Sequence, residues 1–377
     1  MSTDTRTHTP ADAPTQAAAP APPVARSLAL DRLRGLALVA MLVHHLTGWL
    51  TGDARAVLPG WPSFAFTDVA AIAFFCAAGA SMALFTTGRR HKGMSRGGVA
   101  VEIVRRYGLL APIGVGLHWL LWRDPLSFGV LEALGVTVVL GAAVAAVVPT
   151  RLLPAAAAAI LAIGVWSERL ADARHGWLAE DVLGGTFPLV TYLGFVLVGV
   201  AAARTERLED RRWVAAASVV ATGAVLVMAV EGMVPDRYPG DVPFVVPGLA
   251  GTLIVYFLAQ FRVPAALAGI DGIVRRAGTR ALGIFVTHYL LFGLLRGMGV
   301  THALDGGAAI AMALAITATL CVVAPYVPQL PWSPRTGPRR PAEAVDAGPA
   351  DRARGLVLAP PAPTGRSAAD IAPTSRL

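Results

Sequence analysis

Ten apolar stretches, each of roughly 17–25 residues, follow one another along this chain, and that is the length a helix needs to cross the hydrocarbon core of a bilayer. They lie at 33–52, 66–87, 103–122, 127–148, 152–168, 184–203, 213–232, 243–261, 280–297 and 306–326. In lipid every backbone N–H and C=O must find a partner within the protein, and a run of this length does so as an α-helix. The expected fold is all-α: a polytopic transmembrane helix bundle of about ten spanning helices. Only 15% of the 377 residues are charged and 55% are hydrophobic, against about 25% charged in an ordinary soluble domain. A disordered chain and a water-soluble enzyme on a single anchor are both excluded.

The flanks differ sharply from the middle. Of the 28 prolines, five precede the first apolar stretch and ten follow from Pro328 to Pro373. Residues 1–25 and 331–377 therefore read as disordered cytoplasmic tails around a membrane domain at 26–330. Lys and Arg exceed Asp and Glu by 32 to 24, but the excess sits in short clusters between apolar stretches rather than on one face, so nucleic acid is not an expected partner. Alternate connecting segments carry 21 and 6 basic residues. That asymmetry puts both termini in the cytoplasm of a multi-pass cell-membrane protein and requires an even number of crossings. Cys76 and Cys321 each lie in an apolar stretch, without the spacing of a zinc site or a disulfide framework.

Ionisable groups at membrane depth cost several kcal/mol unless paired or facing a watery cavity, which makes them the functional candidates. They are His44, His45, Asp68, His118, Glu132 and His288. At 1.5 Å per residue, His45 lies about 16 Å beyond Arg34, His118 about 18 Å beyond Arg106 and His288 about 12 Å beyond Arg280, so three imidazoles from three helices reach mid-bilayer. Glu132 and Asp68 come from the opposite side toward the same layer. A carboxylate beside an imidazole can tune it as a general base. On the first helix, Asp31, Arg34 and His45 share a face at 100° per residue, while His44 is turned away from it. Each group also has a purely structural alternative: an i,i+3 salt bridge for Asp31 and Arg34, a helix-packing hydrogen bond for a lone His, a protonated packing group for Glu132 and an N-terminal cap for Asp68.

The loop at 88–98, with Arg89, Arg90, Lys92 and Arg96, is followed by Arg105 and Arg106. This basic patch suits anionic lipid headgroups or the phosphates of coenzyme A, which favour arginine forks. No Walker or Gly-x-Gly-x-x-Gly phosphate loop and no Gly-x-Ser-x-Gly element occurs, which argues against an ATP-driven pump.

The stretch Arg26-Ser-Leu-Ala-Leu-Asp31-Arg-Leu-Arg34-Gly35, leading to a mid-helix histidine, resembles the opening of the membrane acyltransferase superfamily that includes acyltransferase 3 and DUF418 proteins. Further matches follow in order: Trp61 and Asp68 before Phe74-Phe75 and Gly79; Gly129-Val-Leu-Glu132; Phe187-Pro188 through Gly194, with Gly199; and Gly278-Thr-Arg-Ala-Leu282 through His288. The series is most similar to the heparan-α-glucosaminide N-acetyltransferase-like branch. Three departures stand out: Leu58 where the glucosaminide enzymes carry a histidine, Glu132 where relatives have glutamine, and Gly337-Pro338-Arg-Arg-Pro-Ala-Glu343 where the family has Gly-Pro-Leu-Glu.

The resemblance implies transfer of an acyl group, acetyl by preference, from cytoplasmic acyl-CoA through the bundle to an extracytoplasmic acceptor such as a sugar. Acyl-CoA would be the co-substrate, without a metal. Asp31, Arg34, Arg89, Arg90, Arg105 and Arg106 would bind the donor. His45 would act as general base or acyl carrier, His288 and His118 would orient the reactants, and Glu132 or Asp68 would tune them. Expected partners are membrane lipid, acyl-CoA and a glycan or other acceptor, with a homodimer admitted. The competing reading is a transporter or flippase that uses the buried Asp and His groups for proton coupling.

Overall fold

The computed structural model describes residues 27–52, 61–122, 129–171, 186–233, 235 and 241–327. Both tails and Leu58 lie outside them. The described residues form α1 (Leu28–Thr51), α2 (Ala70–His91), α3 (Arg96–Ile103), α4 (Leu110–Trp122), α5 (Val130–Val147), α6 (Leu153–Ala171), α7 (Leu189–Arg204), α8 (Arg211–Val230), α9 (Val242–Ala259), α10 (Ala268–Thr279), α11 (Ala281–Gly297) and α12 (Gly306–Val323). No strand occurs among the described residues. Helix starts are set by short polar side chains: Ser27 before α1, Asp210 before α8, Asp241 before α9 and Asp305 before α12 each accept from a first-turn N–H, a donor that would otherwise have no partner.

Seven helices are long and apolar enough to cross a membrane, or eight if α10 and α11, bent by 83°, are counted as one broken span. The sequence led us to expect ten. The two others exist as helices but are short: α7 has 16 residues and α4 has 13. Their apolar runs extend beyond the regular helix, into the Phe187-Pro188 lead-in on one side and a π-helical turn at Val104–Gly108 on the other. Large apolar side chains on the outer faces remain uncovered, as Val219, Val220 and Val230 of α8 do at 72–85% exposure. An apolar face of this kind belongs against lipid, and the chain is a membrane protein.

Helices meet closely where glycine removes the side chain. A Cβ at Gly79 would overlap the Val196 carbonyl, and one at Gly199 the Cys76 carbonyl, so α2 and α7 touch backbone to backbone at two levels. The same holds for α1 and α10, where Gly35 sits on the Val274 carbonyl and Gly278 on the Asp31 carbonyl. Small residues at contacts are how helices gain van der Waals packing in lipid, where burial of apolar surface supplies little drive. Arg32 then pins α1: it grips Asp271 through two nitrogens, at 2.6 and 3.0 Å, and donates to the carbonyls of Ala259 and Phe261.

Candidate active site

Two pairs of side chains meet in the half of the bundle remote from Ser27. His45 of α1 faces His288 of α11, with Nδ1 and Nε2 3.4 Å apart. His118 of α4 and Glu132 of α5 form the second pair, His118 Nδ1 lying 2.6 Å from Glu132 Oε1. His288 is fully buried and Glu132 is 1% exposed, whereas His45 and His118 are only partly covered.

Hydrogen-bond direction follows from the partners. The His288 Nδ1 sits against the Phe285 carbonyl, which can only accept, so this nitrogen carries the hydrogen. In a neutral ring Nε2 then holds a lone pair, and the nitrogen facing it, His45 Nδ1, must donate. His45 is left with its Nε2 unprotonated and pointing away from the pair. A carbonyl on α11 thus selects, through two rings, the basic nitrogen of a side chain on α1. Glu132 acts the same way on His118: it accepts from Nδ1–H and leaves Nε2 as the basic atom.

Glycines make room for the second pair. A Cβ at Gly114 would overlap the Glu132 carboxyl group, and one at Gly129 the His118 ring. Glu132 Oε2 is buried with no hydrogen-bond partner among the described residues, which keeps the carboxyl group in a low-dielectric setting where its interaction with His118 is strong.

Aromatic rings join the two pairs. Trp49 stacks on His288, centroids 5.3 Å apart and planes 13° off parallel, and touches Phe292 at 4.2 Å. Tyr289 lies 4.5 Å from His288 and 6.4 Å from His118. Trp122 lies 5.2 Å from His118 and 5.4 Å from Phe292. Sequence reasoning missed these rings, although a signal was present. His45, His118 and His288 are each followed four residues later by an aromatic residue, Trp49, Trp122 and Phe292, which is the spacing that stacks side chains on one helix face.

The other expected site residues fall elsewhere. Asp68 is buried on a π-helical turn, Ala65–Val69, that packs against α1 and α9. Arg105 and Arg106 lie on the second π-helical turn. Both turns interrupt the regular ladder where ionisable groups sit, a frequent mark of functional positions. Asp31 and Arg34 pair with each other at 2.6 Å. Arg89 and Arg106 share Glu102, at 2.5 and 3.6 Å, and both guanidinium groups lie over the Phe85 ring. Arg90 alone of the expected donor-binding residues lines the cavity of about 730 Å³ at the Ser27 end of the bundle, together with Arg204, which is not among the residues expected to bind the donor. Among the described residues no three His, Cys, Asp or Glu side chains group as a metal site.

A membrane-embedded helical bundle holding carboxylate- and carbonyl-oriented imidazoles has the parts of a membrane transferase that works by general base catalysis. Residues 26–234 match the family described as heparan-alpha-glucosaminide N-acetyltransferase, catalytic. The match covers more than half of the chain, and the protein belongs to this family of membrane acetyltransferase-type proteins. It takes in α1 to α8, with His45, Asp68, His118 and Glu132, and stops short of α11 with His288. Comparison with individual curated proteins finds no match.

Proposed function

We propose that the chain transfers an acetyl or other acyl group from acyl-CoA to an acceptor across the membrane, with both termini cytoplasmic and the cell membrane as its location. The observation that carries this reading is the contact of His45 Nδ1 with His288 Nε2, which fixes the tautomer of His45 so that Nε2 is the nitrogen able to take a proton from an acceptor hydroxyl or amine. The acceptor oxygen or nitrogen forms a bond to the thioester carbonyl carbon as the carbon–sulfur bond breaks. The acceptor's proton passes to His45 Nε2 and from there to the departing thiolate. His288 is a positioning residue that acts through His45. His118, held by Glu132, offers a second basic nitrogen near the same aromatic cluster, for orienting the acceptor or the thioester. Closing the rings over both reactants excludes hydrolytic water and supplies proximity.

The test is acyl-CoA consumption by the purified full-length chain in lipid nanodiscs, with glycan, lipid and protein fractions assayed for the transferred label. The expected result is acceptor labelling, lost in a folded His45→Ala variant. Substrate flux across the bilayer without acyl-CoA consumption would return the transporter reading instead.

A further inference from the structure

The basic patch separates into cations that the protein has already paired and cations that it has not. Arg34, Arg89, Arg106 and Arg32 are engaged by Asp31, Glu102 and Asp271. Arg90 and Arg204, the last-turn arginines of α2 and α7, form no ion pair among the described residues. Arg204 donates to the Ala145 carbonyl. The two guanidinium groups are also close enough to feel each other's charge. Glu206 and Glu209 line the larger cavity beside these arginines, but neither forms an ion pair with them among the described residues, and each helix C-terminus supplies only about half a negative charge.

Those two arginines stand where two cavities adjoin. The larger, about 730 Å³, opens at the Ser27 end of the bundle. The smaller, about 310 Å³, runs between α2, α3 and α5 and is walled by Met82, Val99, Ile103, Val139 and Ala142. Arg90, Arg204 and Thr86 line both, Arg96 joins them at the smaller one, and no Asp or Glu lines that smaller cavity. Both volumes fall in the range of about 300–1,000 Å³ of small-molecule sites. Two guanidinium groups without an acidic partner among the described residues, at the mouth of an aliphatic chamber, suit an anionic head that accepts several N–H bonds and sits on a flexible chain.

We propose that Arg90 and Arg204 hold a phosphate group whose attached chain lies in the aliphatic cavity between α2, α3 and α5. Two sources share this chemistry, the phosphates of a coenzyme A donor and the headgroup of an anionic phospholipid. The first rests on the proposed acyl transfer and the second does not. Along α1, Leu30 at the larger cavity is 15 residues, about 22 Å, from His45, so binding here can be read apart from the chemistry there.

The experiment uses the full-length chain in nanodiscs. Coenzyme A binding is measured by calorimetry, and retention of phosphatidylglycerol over phosphatidylcholine by native mass spectrometry. Variants are Arg90→Gln, Arg204→Gln and Ala142→Trp, the last filling the aliphatic cavity without altering charge. Arg212→Gln removes an exposed positive charge at the start of α8, and melting temperature reports folding. The expected result is a loss of at least tenfold in affinity for one of the two ligands in all three cavity variants and none in Arg212→Gln. Loss of coenzyme A binding identifies the donor as the source, and loss of phosphatidylglycerol retention identifies lipid. If neither ligand binds, or if Arg212→Gln weakens binding as much as the cavity variants, the site is refuted. Binding that survives both Arg204→Gln and Ala142→Trp refutes it as well. Loss of acyl transfer with ligand binding intact would count against the proposed function and leave this site standing.

Discussion

Replacing His288 by phenylalanine separates a base from the group that orients it. The phenyl ring keeps the stack on Trp49 and nearly the same volume, but it removes both nitrogens. The Phe285 carbonyl loses its side-chain donor, and His45 Nδ1 loses the lone pair 3.4 Å away. A neutral hydrogen bond contributes about 0.5–1.5 kcal/mol net, which at RT of 0.59 kcal/mol corresponds to a tautomer and orientation bias of about 2- to 13-fold. A 3.4 Å separation lies at the long end of the geometric range, so the effect belongs in the lower part of that interval. Removing the base itself should cost about 10²–10⁴-fold. His288→Phe is therefore expected to lower kcat a few-fold with KM unchanged and to retain a rate that falls on acidification. His45→Ala is expected to lower kcat at least a hundredfold and to abolish that pH dependence. Steady-state acyl-CoA turnover between pH 5 and pH 9 gives both readouts. Equal losses in the two variants, or full activity and an unchanged pH profile in His45→Ala, would refute the relay from Phe285 through His288 to His45.

Other perturbations address the remaining contacts. Glu132→Gln keeps an acceptor for His118 but removes the charge, which roughly halves the strength of such a bond. Turnover should fall by about tenfold, and Glu132→Asp should restore part of it if the carboxylate matters and not merely its volume. Gly199→Ala would drive a Cβ into the Cys76 carbonyl, where no side chain can swing aside. Unfolding in detergent should show a loss of about 1–3 kcal/mol or more, whereas Gly88→Ala, with nothing within 4 Å, should be neutral or slightly stabilising. Asp271→Asn weakens the two-nitrogen grip of Arg32, and thermal denaturation should register about 1.5–3 kcal/mol.

The helices were legible because an apolar run in lipid has few alternatives to an α-helix. The polar residues within those runs were legible as candidates because so few of them exist. Their pairing was not. Helix periodicity places His45 and His288 at a common depth, but only tertiary packing decides that α11 stands beside α1 and α4 beside α5, which brings His288 to His45 and Glu132 to His118. The basic patch misled in a different way. Arg89, Arg106 and Arg34 look equivalent to Arg90 in sequence, yet their acid partners, Glu102 thirteen residues on from Arg89 and Asp31 three residues before Arg34, consume their charge. Arg204, a single basic residue at the end of an apolar run, could not be matched to Arg90 across more than a hundred positions of chain.

The bend between α10 and α11 turns these contacts into a lever. Gly278 rests on the Asp31 carbonyl and Asp271 is clamped by Arg32, so the short arm is bound to the first turns of α1. The long arm leaves at 83° and carries the His288 imidazole eight residues beyond Arg280, or about 12 Å of helix. A swing of about five degrees at this elbow moves that position by about 1 Å, enough to lengthen the 3.4 Å contact with His45 beyond hydrogen-bond range. The placement of the His45–His288 contact in one half of the bundle is thus set by glycine and arginine contacts made at its other end.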